Sequence, residues 1–495
     1  MDLDNVKSDL VTREFLAVLF AGFGNDLVPL TSDYGDNPCP KCLLPVANKP
    51  LIEYTLTWLE QSGIKDVLLI CPARHRSAIH HHIHSDVSSS SLRIDLQTYD
   101  DSQEGNLGTC SLLRQFSNRI PEDFVVVPCD FIPPPSLPLS HLLNAFRVDA
   151  LSDSLLVTTC WHSSRPPEKG SFPEEWGPLP ATFPIVWDPS SSTLLHIETP
   201  DDLDRNAEEI QLKLPILSRY PHTKLSSSFE DSHVYVFKRS VLDLLHQKPH
   251  FSSLKEEFLP WLCKLQYQHS KRLKYTRELN MRDESTSQSL SLKHSSLLNS
   301  NNPLEQVGSQ TSRPASPADR DGLIQPSLKV GVVIKNRDPE FAMRINTLHK
   351  FYEVNRQILS TATYTLPVDP KNRSLIDQRA QISADSIVGE CSQISERTTI
   401  KRSVIGRHCT IGKMVKITGS VLLDHCIVED GAKLEGCILG KSTQVGSKAE
   451  LTRCVTQAGY EVGAGETVKG EKLEVSDWME APDTPVTQHQ ELQAE

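Results

Sequence analysis

The chain lacks any apolar run fit to cross a bilayer. Its most apolar early stretch, residues 15–23, falls far short of the roughly 20 residues a spanning helix needs. A secretory leader is not expected, because Met1-Asp2-Leu3-Asp4 puts charges where such a signal needs an apolar run. Positive charge is in deficit: 51 Lys and Arg stand against 63 Asp and Glu, a net charge of −12. Phosphate binding needs a basic surface to release counterions, so direct contact with nucleic acid is not expected. The twelve cysteines form no small-domain framework. Several fall in apolar strands, such as Cys129 and Cys160, or at repeat positions, such as Cys409 and Cys426. That usage predicts reduced thiols and a cytosolic protein.

What is present suits a soluble globular chain of more than one domain, since 495 residues exceed one ordinary core. From residue 15 to about 267, apolar strands alternate with helical stretches. Phe15-Leu16-Ala17-Val18-Leu19-Phe20 runs into a glycine turn, residues 51–62 read as a helix closed by Gly63, and strands follow at 67–70, 124–127 and 154–159. Such alternation predicts an α/β domain with a mainly parallel sheet. Residues 281–325 are rich in Ser, Asn, Gln and Pro and read as a disordered insertion. A strand at 328–334 and a helix around 341–359 come next. The expected division is a first domain over 1–280, the insertion at 281–325, a strand–helix segment over 326–370, a repeat domain over 371–474 and an acidic tail at 475–495.

The repeat domain carries the strongest pattern. Val388, Ile394 and Ile400 are six apart; after a step of five come Ile405, Ile411 and Ile417. The spacing continues through Leu422, Val428 and Leu434, through Leu439, Val445 and Leu451, and through Thr456, Val462 and Val468. Fourteen of these fifteen positions are Val, Ile or Leu, against roughly one in four for ordinary composition, which excludes chance. A 17-residue coil with three short sides points one such side chain inward from each side, and every coil stacks on the last. Ser392, Thr398, Cys409, Val415, Cys426, Ala432, Thr443 and Ala449, four residues further on, are small or β-branched and fit tight corners. A helix is excluded, because neither 3.6 nor 3.5 divides this repeat.

Chemistry is expected after the first strand, in Ala21-Gly22-Phe23-Gly24-Asn25-Asp26, followed by Pro40-Lys41-Cys42-Leu43-Leu44-Pro45. Gly22-x-Gly24 lacks the third glycine of a dinucleotide fingerprint. Cys39-Pro40-Lys41-Cys42 could be half a zinc site, yet no second pair follows at suitable spacing, so incidental cysteines are expected. His80-His81-His82 with His75 and His84 could hold a metal. The Ser-rich sequence that follows reads instead as an exposed helix end. Ser316-Pro317 is a permissible phosphorylation site.

The loop and its Pro-Lys-x-Leu-Leu-Pro continuation resemble the signature of the sugar-nucleotide pyrophosphorylases. The resemblance implies a Rossmann-like nucleotidyltransferase domain followed by a left-handed parallel β-helix of hexapeptide-type repeats. Working members read Gly-x-Gly-Thr-Arg, the Arg stabilising charge that develops on the phosphates. Here Gly22 and Gly24 remain, but Asn25-Asp26 replaces Thr-Arg. At an effective dielectric near 20, a unit charge about 4 Å away is worth roughly 4 kcal/mol, so reversing its sign can cost about a thousandfold in rate. Lys41 matches the lysine the family carries after its loop, and Asp130 matches the aspartate that holds Mg²⁺. A lone carboxylate is a poor magnesium site. Glu230-Asp231-Ser232 stands where the family approaches the sugar with Asn-Ala-Gly. Gly22, Gly24, Asn25, Asp26, Lys41 and Asp130 are therefore expected to form a vestigial pocket, with no resident cofactor or metal and at most weak nucleotide binding.

Arg344-Ile345-Asn346-Thr347-Leu348 with Tyr352-Glu353, and Thr399-Ile400-Lys401-Arg402-Ser403-Val404-Ile405-Gly406, resemble segments of the translation initiation factor 2B subunits. An epsilon subunit would carry a further HEAT-type domain, and the chain's end soon after the fifth coil points to the gamma-subunit family. The resemblance implies a non-catalytic partner of the epsilon subunit, assembled with the alpha, beta and delta subunits. The complex would promote guanine-nucleotide exchange on initiation factor 2. The rival readings are a mannose-1-phosphate guanylyltransferase-like enzyme and the regulatory subunit of such an enzyme.

Overall fold

The computed structural model describes residues 14–33, 35, 38–85, 91–100, 107–152, 154–163, 174–177, 183–205, 210, 212–268, 271, 274–275, 328–335, 342–361 and 370–475. The insertion expected at 281–325 and the tail beyond 475 lie outside them. The chain divides into two compact units. One comprises Met1–Asp26, Pro38–Ser171 and Pro178–Val354; the other comprises Leu27–Asn37, Phe172–Gly177 and Asn355–Glu495. The second thus takes two short segments from within the expected first domain.

The first unit is built on one ten-stranded sheet. Its strands are β1 (Phe15–Phe20), β2 (Asp66–Pro72), β3 (Arg93–Tyr99), β4 (Asp123–Pro128), β5 (Ser154–Ser163), β6 (Ile185–Asp188), β7 (Thr193–Ile197), β8 (Lys224–Ser226), β9 (Phe229–Phe237) and β10 (Leu328–Lys335). They lie in the order β8-β6-β7-β10-β5-β9-β4-β1-β2-β3. The pairs β1–β2, β1–β4, β2–β3 and β5–β10 are parallel. The other neighbours pair antiparallel, which corrects the expected mainly parallel sheet to a mixed one. The reason lies in β9, which runs against both β4 and β5 and so separates the two parallel sets.

Apolar residues throughout β1 and from Phe124 to Pro128 of β4 let both faces of the sheet be covered. Val18, Phe124 and Val126 enter one core with the helices Thr109–Gln115, Val241–Gln247 and Leu259–Tyr267. Their neighbours Ala17, Leu19, Val125 and Val127 enter another with Leu51–Gln61 and Leu139–Ser152. The period of two along each strand separates the two cores. The helix expected around 341–359 starts later, at Leu348. Before it, Met343–Arg344 pairs as a short strand with Phe131–Ile132, so backbone bonding overrides the local helical pattern there.

The second unit contains a left-handed parallel β-helix whose three sheets have six, six and five strands. Ile400, Ile417, Leu434, Leu451 and Val468 pair successively at 17-residue steps along one side. The first coil holds one residue more, since Ile382 pairs with Ile400. Ile394, Ile405, Ile411, Leu422, Val428, Leu439 and Val445 are also buried, as are all eight small corner residues. Val388, expected in the core, is half-buried at its edge. Thr456, the one exception to the aliphatic rule, is buried with its hydroxyl satisfied: Gly440 N–H donates to it at 2.9 Å, and the Thr443 hydroxyl lies at 2.9 Å.

Each corner is turned by one residue in the left-handed region, at Cys391, Arg397, Arg402, His408, Met414 and Gly419, and onward at the same steps to Gly470. Within this unit the Trp176 indole donates to the Arg453 carbonyl at 3.0 Å.

Candidate functional site

β1 sits where the chain order of the parallel strands reverses, with β2 on one side and β4 on the other. Ligand sites of open α/β sheets form beyond the strand ends at such a point. A cavity of about 460 Å³ lies there in the first unit. Its wall includes Phe20 from the end of β1, Gly22 to Asp26 from the following loop, Pro128 to Asp130 from the end of β4, and Lys41. All six residues expected of the pocket are therefore brought together. Asn25 and Asp26 are exposed at its wall. Gly24 has φ +82°, and a Cβ there would meet Lys41 Cβ and Cδ at 2.9 Å, so the glycine permits both the turn and the approach of the lysine.

Asp130 is 1% exposed and engages two cations. Lys41 Nζ donates to its Oδ2, and Arg344 Nε donates to its Oδ1 at 3.1 Å. Burial alone would push the Asp130 carboxyl upward; the charges of Arg344 and Lys41 outweigh it and hold the carboxyl below its ordinary range. The Mg²⁺ that the fold family implies does not fit this arrangement, because both oxygens already hold protein donors. Among the described residues, no three His, Cys, Asp or Glu side chains group as a metal site.

Wall residues outside the sequence expectation include Arg344, His233, Tyr235 and Lys255. Arg344 arrives on the short strand beside Phe131, and Ile345 N–H donates to the Asp130 carbonyl at 2.8 Å, which fixes the approach. Arg344 Nη1 donates to His233 Nε2 at 2.9 Å. His233 reaches the cavity because β9 is irregular between Asp231 and Tyr235, where its own φ is 56°. Such a bulge re-aims side chains. Asp231 holds it: Oδ1 accepts from the His233 N–H at 2.9 Å, and Oδ2 accepts from the Tyr235 hydroxyl.

Burial, then the charges of Arg344 and Lys255, press His233 well below its usual value, so it is a neutral acceptor. Burial raises Asp231 and pushes Tyr235 well up. The wall thus presents three cations, Lys41, Lys255 and Arg344, against two carboxylates, Asp26 and Asp130. The guanidinium absent from the loop is supplied from 214 residues beyond Asp130, but it is committed to Asp130 and His233. Nothing local in the sequence marks that pairing. The one available signal was the Glu-Asp-Ser-His interruption of an otherwise apolar β9.

A mixed nucleotidyltransferase-type sheet with its cavity at the switch point, in one chain with a left-handed β-helix, defines a nucleotidyltransferase-like protein with hexapeptide-type repeats. Comparison with known proteins agrees. Residues 17–169 match the nucleotidyl transferase family, and residues 370–468 match the left-handed β-helix domain of the eIF2B epsilon subunit. The translation initiation factor eIF2B subunit gamma of Schizosaccharomyces pombe is 30% identical over 402 residues, covering 80% of this chain and 76% of that protein. Its counterpart in Caenorhabditis elegans is 28% identical over 52% of this chain and 59% of that protein. The S. pombe eIF2B subunit epsilon is 31% identical over a shorter stretch, 26% of this chain and 18% of that protein. The chain belongs to the gamma-subunit family of translation initiation factor eIF2B.

Proposed function

We propose that the chain is a non-catalytic subunit of eIF2B, pairing with the epsilon subunit and assembling with alpha, beta and delta subunits to promote GDP release from initiation factor 2. Family membership supports the complex. The cytosol is the compartment such a role requires, and among the described residues no helix is long and apolar enough to cross a membrane.

The single observation that supports a non-catalytic cavity is the commitment of Asp130 to Lys41 and Arg344. A transferase needs that carboxylate for its metal and needs unpaired cations for the developing phosphate charge. Here Asp130 and the two bases Lys41 and Arg344 occupy one another, so neither the carboxylate oxygens nor those two cations are open to a metal or a phosphate, and Asp26 adds a carboxylate to the wall.

The purified chain, supplied with GTP, Mg²⁺ and mannose 1-phosphate, is expected to release no pyrophosphate above background. Co-expressed with the epsilon subunit it is expected to co-purify and to raise the complex's exchange rate. Enzyme-like turnover by the chain alone, or failure to retain epsilon, overturns the reading.

A further inference from the structure

The five histidines between 75 and 84 have no part in the cavity wall just described, and the fold sorts them. His75 is buried, its ring centroid 5.5 Å from that of Phe23. His82 turns inward, its Nε2 lying 3.2 Å from Glu53 Oε1. His80, His81 and His84 are exposed.

Residues four apart on a helix advance by about 400°, so they return to one face and become neighbours. On the helix Arg76–Ile83, with His84 as its C-cap, this places His80 and His84 together. Their ring centroids are 4.2 Å apart and their planes are inclined by 53°. His81, a quarter turn away, is left out of the pair.

We propose that His80 and His84 form a two-histidine chelate for a borderline divalent transition-metal ion such as Zn²⁺ or Ni²⁺. Such ions take imidazole nitrogen at about 2.0–2.1 Å, in geometries that leave adjacent ligands close to a right or tetrahedral angle. Adding the reach from nitrogen to ring centre puts the centroids of two rings on one ion roughly 4.5–5 Å apart. The observed pair at 4.2 Å needs to open by about 0.3 Å for a right angle and by about 1 Å for a tetrahedral one. Exposed side chains adjust that far by small χ rotations.

The helix fixes both backbones. The His84 N–H donates to the His80 carbonyl at 3.1 Å, closing the last turn between the two ligands. Chelation therefore orders only side-chain torsions. The open surface beside the rings, shared with Arg76, Ser77, His81 and Ser85, leaves the remaining coordination positions to water, and His81 borders it without making the close ring contact of the pair. Arg76, one turn earlier, is the opposing charge. It limits the site to an ion that binds nitrogen covalently enough to offset the repulsion, which excludes Mg²⁺ and Ca²⁺.

The test is calorimetric titration of the tag-free full chain with Ni²⁺, kept reduced by a non-thiol reductant. One saturable equivalent is expected, weakened by more than about tenfold in His80→Ala and in His84→Ala and unchanged in His81→Ala. Because all three positions are exposed, the variants are expected to fold, with circular dichroism as the check. Absence of a saturable site, binding as tight as wild type in either His80→Ala or His84→Ala, or a comparable loss in His81→Ala overturns the assignment.

Discussion

At the scale of single residues, buried charge explains the character of the cavity. Asp130 is the shared counter-charge of Lys41 and Arg344, and removing one partner of a buried pair costs about 3–5 kcal/mol because the other is left uncompensated. Asp130→Asn is therefore expected to destabilise the first unit by about that amount, read from urea unfolding. Acid acts on the wild type through two windows. His162, buried in β5 with Glu230 and Lys350 nearby, is pushed down to about 4, chiefly by burial. Its folded form stays neutral while the unfolded chain takes up a proton below about pH 6.5. Stability then falls by up to about 1.4 kcal/mol per pH unit between about 6.5 and 4. His162→Gln is expected to flatten this slope in unfolding curves at pH 7, 5.5 and 4.5. Asp130 lies below its ordinary range, so its contribution persists through that window and is lost only at lower pH, as its folded value is crossed.

At the scale of elements, the β-helix depends on what its corners leave out. A Cβ at Gly406 would stand 2.5 Å from the Leu423 carbonyl carbon, in backbone that cannot swing aside. Gly406→Val is expected to cost about 1–3 kcal/mol, as over-packing does, and to disrupt the stacking of neighbouring coils. Thr456→Val tests the opposite error. It keeps the shape but removes the acceptor of Gly440 N–H and the partner of Thr443, and is expected to cost about 1–3 kcal/mol. Thermal unfolding followed by circular dichroism checks both; a neutral Thr456→Val would mean that the buried hydroxyl contributes nothing.

At the scale of the whole molecule, the cysteines report how completely the chain is packed. All twelve are free; ten are buried, Cys39 is half-buried and Cys391 is exposed. Burial pushes the thiols of Cys110, Cys129, Cys160 and Cys263 up to about 12, which suppresses the reactive thiolate. A chromogenic thiol reagent is expected to find about one fast-reacting thiol in the native chain, a slower second, and all twelve only in denaturant. Ten or more fast thiols in the native chain would contradict the packing described.

The sequence by itself determined the β-helix, because each inward residue is set by a short local period and every coil repeats the same demand on it. The first strand and its glycine loop were legible in the sequence too, and the clustering of Gly22, Gly24, Lys41 and Asp130 was implied by the resemblance that the loop and its continuation carry. Only the tertiary structure decided the direction of β9 and β10 in the sheet. Only it turned Met343 and Arg344 into a strand and joined Arg344 to an aspartate 214 residues away. Pairings of that separation leave no period in the chain. They are selected by the backbone bonds and charge balance that exist once the sheet has formed.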